Sequence, residues 1–161
     1  MRIAVLSDTH IPTRLGAIPG RVYEVCAECD LILHAGDVVE LSVLRDLERF
    51  APLKAVHGNM DPFDITERFP ESLELNLEGF RICMTHGSGP GFGLRDRLLR
   101  RFSPRNPDII IYGHSHEFNE DVKDGVLRLN PGAVSSSKGK RSIALLTLGK
   151  NENPKVEKIT F

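Results

Sequence analysis

The stretch DLILHAGD, residues 30–37, is a short apolar run that ends in polar residues, the pattern of a buried strand. The same pattern precedes it as RIAVLSD at residues 2–8 and follows it as PLKAVHGN at residues 52–59. Two intervening segments have apolar residues at helical spacing, IPGRVYEVCAEC at 18–29 and ELSVLRDLERF at 40–50. This alternation of strands and helices predicts a parallel sheet with helical crossovers.

The second half of the chain is dominated by hairpin patterns. Apolar residues alternate around glycine-containing turns at residues 73–87, 117–132 and 141–161, as paired antiparallel strands require. A further amphipathic helix is predicted over 91–102, and the apolar run DIIIYG at 108–113 predicts another strand. Mixed parallel and hairpin strands with about three helices predict an α/β fold of two stacked sheets flanked by helices.

The composition is that of an ordinary globular protein, with 161 residues, 40% hydrophobic and 27% charged, and a formal net charge of −1. This length predicts one domain over residues 1–161. The near-neutral charge gives no basic surface for long nucleic acid, and no apolar run approaches the ~20 residues that cross a bilayer. The first residues, MRIAVLSDTH, do not resemble a secretory signal, so we expect a cytoplasmic protein without a membrane partner.

The three cysteines do not suggest a disulfide framework. Cys26 and Cys29 form a C-x-x-C pattern that zinc and redox sites also use, but no second pair of ligands completes such a site. Both lie inside a predicted helix, three residues apart on one face, and Cys83 lies in a predicted strand. We therefore predict that all three pack in the core.

All six histidines lie where predicted strands end. With neighbouring polar residues, five loops carry the following set: Asp8 and His10; His34 and Asp37; His57, Asn59 and Asp61; His86; His114 and His116. In open α/β sheets, ligands bind beyond the carboxyl ends of the strands, so these loops should converge. Core packing does not explain such a concentration of imidazole groups.

The residue types in these loops suit manganese, iron, zinc or nickel better than an all-oxygen calcium cage. Seven residues supply suitable donor atoms: Asp8, His10, Asp37, Asn59, His86, His114 and His116. Seven donors are too many for one ion, whereas one shared carboxylate would divide them into two sites of four. Two ions ~3.5–4 Å apart stabilise both the attacking and the leaving oxygen in phosphoryl transfer, and they generate hydroxide near neutral pH.

The blocks DTH, GD, GN-D, H and GHSH follow one another between residues 8 and 116, and in this order they resemble the calcineurin-like metallophosphoesterases. The resemblance extends over essentially the whole chain and implies a four-layer α/β/β/α sandwich. The short chain and the GNMD block are most similar to the small bacterial and archaeal phosphodiesterase branch. That branch also resembles the scaffold subunit of eukaryotic retromer.

The resemblance implies metal-dependent hydrolysis of phosphate esters, in which a metal-bound hydroxide attacks phosphorus. The implied ligands are Asp8, His10 and His116 for the first metal and Asn59, His86 and His114 for the second. Asp37 would bridge the two ions. Manganese is the first choice of metal, with nickel, iron and zinc as alternatives. Catalysis is assigned to Asp37, Asn59 and His57.

Met60 departs from the family pattern, because many members have a histidine there that stabilises the transition state or protonates the leaving group. A methionine does neither, and general acid catalysis contributes ~10²–10⁴-fold. We therefore expect a phosphodiesterase, or a broad aryl-phosphoesterase, rather than an efficient alkyl phosphomonoesterase. His57 is the best substitute for the missing histidine, although a structural role in the pocket wall is favoured. Ser88 is a second departure, where relatives often have another histidine.

Other residues near these blocks have two interpretations each. His34 either orients a ligand or is simply hydrogen-bonded at a strand end. The glycine-rich stretch 86–93 either presents backbone N–H groups to phosphate or is a flexible connection, and the connection is favoured. Basic residues around the next helix either attract an anionic substrate or form a solvated face; they are Arg95, Arg97, Arg100, Arg101 and Arg105.

Two further loop features accompany the motifs. Asp61 is expected to brace its own loop. Residues 130–141 are expected to form a loop near the site, in which Ser135 and Lys138 are candidates for substrate contact.

Competing functions are a non-catalytic protein-interaction scaffold of the same fold, a phosphomonoesterase and a nuclease. A scaffold would be expected to lose ligands, and all seven donors are present. A nuclease acting on long nucleic acid would need a basic surface, which this chain lacks. The predicted partner is therefore a small phosphate ester, and exposed hairpin edges are compatible with a homodimer.

Overall fold

The computed structural model describes residues 1–135 and 140–161, which form two five-stranded sheets. The strands are β1 (Arg2–Leu6), β2 (Leu31–His34), β3 (Leu53–Ala55), β4 (Ser72–Leu77), β5 (Phe80–Thr85), β6 (Ile109–Ile111), β7 (Phe118–Lys123), β8 (Val126–Pro131), β9 (Ser142–Thr147) and β10 (Lys155–Thr160). The first sheet has the strand order β10-β9-β1-β2-β3, and the second has the order β4-β5-β6-β8-β7.

Helices occupy the connections between strands. They are α1 (Gly20–Ala27), α2 (Leu41–Glu48), α3 (Phe63–Thr66) and α4 (Leu94–Phe102), and a 3₁₀ turn at Ser103–Arg105 follows α4. Within the described ranges, no helix has the length and apolar character to cross a membrane.

In the described part of the chain, three apolar clusters separate four layers of secondary structure. In the central cluster, alternate residues of β1 such as Ile3 and Val5 pack against Ile82 and Ile109 of the second sheet. The intervening β1 residue Ala4 faces the opposite way, toward α1 and α2. On the far side, Ile110 of β6 packs against Leu98 and Phe102 of α4. Because side chains alternate along each strand, apolar side chains cover both faces of each sheet. The predicted layering of helix, sheet, sheet and helix is confirmed.

The strand pairings agree with those expected from the sequence. Strands β1, β2 and β3 are parallel, whereas β4–β5, β7–β8 and β9–β10 are antiparallel hairpins. The three cysteines are buried free thiols, as predicted. Helix α3 and the 3₁₀ turn were not predicted, because segments of four and three residues are too short to show helical periodicity.

The carboxyl ends of the parallel strands lie at one edge of the sandwich. Strand β1 runs parallel to β2 in the first sheet, and β5, β6 and β8 run parallel in the second. The two sheets meet at this edge, where the His114 N–H donates to Asp8 Oδ2 over 3.1 Å. Loops that are far apart in the sequence therefore lie next to one another at this edge.

Candidate metal centre

Asp8 occupies the centre of the group of polar side chains at this edge. Its Oδ1 atom lies 3.0 Å from His116 Nε2, 3.6 Å from His10 Nε2 and 3.9 Å from His86 Nε2. Its other oxygen, Oδ2, accepts hydrogen bonds from the Ser7 hydroxyl at 2.6 Å and from the His114 N–H. One carboxylate oxygen is therefore fixed by the protein, while the other faces three imidazole nitrogens.

Asp37 extends the group toward the third strand. Its Oδ2 atom lies 3.2 Å from His86 Nε2 and 3.6 Å from His10 Nε2, and its Oδ1 accepts the Met60 N–H at 2.8 Å. Among the residues that the structure describes, two sets of ligand atoms could each hold a metal ion: Asp8, His10 and His116 form one, and Asp8, Asp37 and His86 form the other.

Asn59 and His114 lie beside the second of these sets. Asn59 Oδ1 is 3.0 Å from His114 Nδ1, and the His114 ring meets the His86 ring edge-on with centroids 5.3 Å apart. The fold thus brings together all seven residues that the sequence selected as donors. The observed sets share Asp8, whereas the sequence assigned the shared position to Asp37.

Three buried side-chain atoms of the described residues have no hydrogen-bond partner: Asp8 Oδ1, His10 Nδ1 and His86 Nε2. Asp8 Oδ1 and His86 Nε2 face the donor group, whereas His10 contacts it through its other nitrogen, Nε2. A buried polar atom without a partner costs roughly 1–3 kcal/mol, which a bound cation can offset. The residues present therefore fit divalent metal ions.

Backbone carbonyls fix the orientation of two histidines. His86 Nδ1 lies 2.7 Å from the Ala35 carbonyl, and His114 Nε2 lies 2.8 Å from the Gly89 carbonyl. Because a carbonyl only accepts, each of these nitrogens carries a hydrogen. The lone pair of His86 Nε2 is consequently available on the side that faces the group, as metal ligation requires, and His114 presents Nδ1 there, 3.0 Å from Asn59 Oδ1.

Both carboxylates are ionised in this environment. Burial raises the pKa of Asp8, but the neighbouring His10, His116 and His86 lower it well below its usual value. For Asp37, burial again raises the pKa, and the contact with His86 outweighs it, so that the pKa is lowered. Burial lowers the pKa of His86, but Asp37 and Asp8 raise it overall. Two anionic side chains therefore lie at the centre, where a cation would be attracted.

The donor loops have an unusual backbone. Asp8, His10, Asp37, His114 and His116 all have positive φ angles, between 46° and 70°. Left-handed backbone is uncommon outside glycine and costs roughly 1–3 kcal/mol per residue, so it persists only where the surroundings enforce it. Clusters of such residues occur at functional sites.

Glycines permit the close approach of these loops. A Cβ atom on Gly58 would fall on Asp37 Oδ1, and a Cβ atom on Gly113 would fall on Ser7 Oγ and lie 3.0 Å from Asp8 Oδ2. Neither position tolerates a side chain without moving a candidate ligand or its hydrogen-bond partner.

Asp61 braces its loop, as the sequence suggested. Its carboxylate accepts the N–H groups of Asp37 at 3.0 Å, Gly58 at 2.7 Å and Val39 at 2.7 Å. It thereby ties the loop after β2 to the loop after β3. Asp61 itself is absent from both sets of ligand atoms.

His34 and His57 lie outside the donor group. His34 Nδ1 accepts the Gly36 N–H, so its Nε2 carries the hydrogen and donates to Thr9 Oγ1 at 3.3 Å. Burial lowers the pKa of His34 to about 4, which keeps it neutral. The hydrogen bonds expected at a strand end are present, and they join His34 to Thr9 and Gly36, the residues next to His10 and Asp37. His57 is half-buried and lines a cavity with Asn59, His86 and Ser88.

Two residues that hold the loops were not identified as supporting residues from the sequence. The buried Asn130 amide donates to the Gly113 carbonyl at 2.7 Å, and the Ser135 hydroxyl donates to the Asp8 carbonyl at 2.7 Å. Ser135 therefore supports a donor loop, whereas the sequence suggested substrate contact. Lys138, the other candidate, lies outside the described residues. The sequence Asn-Pro-Gly at 130–132 favours a turn, and it is the local pattern that indicated a fixed loop at these residues.

Arg97 holds the glycine-rich stretch in place. Its guanidinium donates to the carbonyls of Ser88 at 3.0 Å, Pro90 at 2.6 Å and Phe92 at 2.8 Å. The stretch is therefore anchored to α4, where the sequence favoured a flexible connection. The Gly89 carbonyl that contacts His114 belongs to this anchored stretch.

The chain matches known proteins over most of its length. Residues 1–151 match the calcineurin-like phosphoesterase superfamily domain. A probable metallophosphoesterase of Methanothermobacter thermautotrophicus is 40% identical over 134 residues, which are 83% of this chain and 77% of that protein. An archaeal phosphodiesterase of known structure is 27% identical with a TM-score of 0.80, and the match covers 100% of both chains. Vacuolar protein sorting-associated protein 29 of Schizosaccharomyces pombe is 25% identical over 147 residues, 85% of this chain and 74% of that protein.

The layered fold is that of the metallophosphoesterases, and the described residues include two groups of side chains that could hold metal ions. The chain belongs to the calcineurin-like phosphoesterase superfamily. The resemblance drawn from the five sequence blocks is thereby confirmed, and the family implies divalent metal ions.

Proposed function

We propose that this chain is a phosphodiesterase that uses two divalent metal ions, with manganese as the first choice. The observation that carries the proposal is the convergence of Asp8 Oδ1 and His86 Nε2, both buried and without hydrogen-bond partners, on one donor group. In this proposal Asp8, His10 and His116 hold one ion, Asn59, His86 and His114 hold the other, and Asp37 lies between them.

Bound metal ions would supply Lewis acidity and a nucleophilic oxygen near neutral pH. The chain's own residues orient the donors: the Ala35 and Gly89 carbonyls fix His86 and His114, and Ser7 fixes Asp8. His57 lines the cavity beside Asn59, a position from which we propose that it hydrogen-bonds the leaving group. Asn59 and Asp37 are proposed to contact the reacting phosphate as well as metal.

The function is tested with purified protein, Mn²⁺, and two nitrophenyl substrates, a phosphodiester and a phosphomonoester. We expect Mn²⁺-dependent turnover that chelation abolishes and added Mn²⁺ restores, with the diester preferred. Metal binding without turnover of either ester would refute the proposal. That result would favour a second candidate, a protein-interaction role, which the similarity to a vacuolar protein sorting-associated protein supports.

Met60 provides a test of the expected preference for substrates with good leaving groups. Met60 directly follows Asn59, and its side chain is 51% exposed. Because a thioether carries no hydrogen on sulfur, Met60 can donate no proton to a leaving group. Met60→His is expected to raise the rate on alkyl esters relative to aryl esters by about 10²-fold, because poor leaving groups gain most from an acid. The measurement is the ratio of kcat/KM for matched alkyl and aryl phosphates. An unchanged ratio would exclude Met60 as the cause of a preference for good leaving groups.

Arg97 provides a test of the subsite that contains His114. Arg97→Ala is expected to weaken Mn²⁺ binding there about 10–100-fold, because the stretch that carries the Gly89 carbonyl loses its anchor. Calorimetric titration with Mn²⁺ would show one weakened binding step. The control is Arg100→Ala, an exposed arginine on the same helix. Two steps with parental affinities in Arg97→Ala would contradict the expected role of the anchor.

The remaining predictions concern the cellular context of this activity. We propose a small phosphate ester as the substrate and the cytoplasm as the location. A homodimer stays a prediction, for which sedimentation of the purified protein is the measurement.

A further inference from the structure

Arg14 lies on the loop that follows the candidate ligand His10. Its backbone N–H donates to the His10 carbonyl at 2.8 Å, which closes a short turn. Its exposed side chain returns toward the donor group, where Nη1 lies 3.5 Å from His116 Nδ1. Arg14 is thus a cationic side chain at the edge of a centre that we assign to metal cations.

The contact with His116 does not account for this position. His116 Nε2 faces inward, 3.0 Å from Asp8 Oδ1 and 3.3 Å from His10 Nε2, so Nδ1 faces outward to Arg14. At 3.5 Å the guanidinium is at the limit of hydrogen bonding. When Nε2 gives its lone pair to a metal, Nδ1 carries the hydrogen and no longer accepts from Arg14.

Arg14 also has no anionic partner within the part of the chain that the structure describes. The ion pairs there join other arginines, such as Arg21 with Glu24 and Arg128 with Asp121, and none includes Arg14. An exposed guanidinium beside bound cations would be repelled by them unless an anion lay between. Arginine is the side chain best suited to phosphate oxygens, because its planar donors bind two of them at once.

We infer that Arg14 binds the non-bridging oxygens of the substrate phosphate. This inference rests on the proposed function, and it names the phosphoryl oxyanion as the group that Arg14 recognises. Arg14 then acts on substrate affinity while the donor group holds the metal. The residue is a phosphate-binding residue that no sequence block indicated.

The test uses the full chain loaded with Mn²⁺ and inorganic phosphate as the probe. Arg14→Ala is expected to weaken phosphate binding, measured by calorimetry, and to raise KM for the nitrophenyl diester, each by about 10–100-fold. Arg14→Lys is expected to recover part of this loss, because it restores the charge without the planar pair of donors. Mn²⁺ affinity is expected to be unchanged. The control is Arg21→Ala, which removes an exposed arginine of α1 that pairs with Glu24.

The outcomes separate this inference from the proposed function. Parental phosphate affinity and KM in Arg14→Ala would overturn the inference, and so would a parallel loss of Mn²⁺ binding, which would make Arg14 part of the metal centre. Should the parent hydrolyse neither ester and yet bind phosphate through Arg14, the inference would stand while the proposed phosphodiesterase would fall. Circular dichroism on each variant checks that the fold is retained.

Discussion

Asp37→Asn is expected to reduce hydrolysis of the nitrophenyl diester by about 10³-fold or more and to weaken Mn²⁺ binding. Asp37 Oδ2 lies 3.2 Å from His86 Nε2 and 3.6 Å from His10 Nε2, so it contacts histidines that we assign to different ions. An amide keeps the size of the side chain and removes its charge. A fall in rate of about 10³-fold corresponds to a loss of several kcal/mol of transition-state stabilisation. Steady-state kinetics at saturating Mn²⁺ and calorimetric titration provide the measurement.

The matched control for this variant is Asp46→Asn. Asp46 is an exposed aspartate on α2, so the same chemical change there should leave the rate and the metal affinity at parental values. Hydrolysis by Asp37→Asn at the parental rate would rule out the dinuclear centre, because the side chain between the two ions would then be dispensable.

Gly58→Ala is expected to have a comparable effect without removing any donor atom. A Cβ atom at this position would fall on Asp37 Oδ1 and lie 2.6 Å from Asp37 N, so the carboxylate or the loop after β3 must move. Overpacking of this kind costs roughly 1–3 kcal/mol of stability. Because the displaced group is a proposed metal ligand, we expect activity to fall at least about 10²-fold. The measurements are the diester rate, the Mn²⁺ affinity and Tm.

Gly16→Ala is the control, since a Cβ atom there has no neighbour within 4 Å. It adds the same methyl group and should leave rate, affinity and Tm within error of the parent. The φ angle of Gly58 is not in the left-handed region, so the contrast between the two variants isolates the steric effect. Parental activity in Gly58→Ala would show that Asp37 can shift without consequence.

The order of strands and helices was predictable from the chain because each segment carries a strong local pattern. Period-two alternation and the Asp124-Gly125 turn specify the β7–β8 hairpin from a few adjacent residues. Pro19 at the start of α1 and the helical spacing of apolar residues in α2 likewise predict the two helical crossovers from adjacent residues. The predicted bounds were up to three residues too long at the helix ends, where the pattern continues into turns that are not helical, and only the C-terminal end of α4 agreed with the prediction.

The convergence of the candidate donors was predictable for a related reason. Asp8, His86 and His114 directly follow or nearly follow apolar strands, and the ends of parallel strands share one edge of a sheet. Residue chemistry and strand position together therefore select the candidate donors. The roles assigned to individual donors stay proposals that the variants above test.

The supporting contacts were not predictable in this way. Arg97 resembles the other arginines of its helix in the sequence, and only the folded chain shows that it donates to three carbonyls of the glycine-rich stretch. Asn130 and Ser135 reach Gly113 and Asp8 across separations of 17 and 127 residues, which no local pattern encodes.

By itself the sequence determined the layers of the fold and the chemical types of the donors, because periodicity, turn residues and residue identity act over a few neighbouring positions. Only the tertiary structure decided which nitrogen of His86 faces Asp37, how closely Gly58 approaches Asp37, and that Arg14 lies against His116. Each of these depends on the relative position of two loops. That position is fixed by the packing of two sheets against each other, and packing is a property of the whole chain.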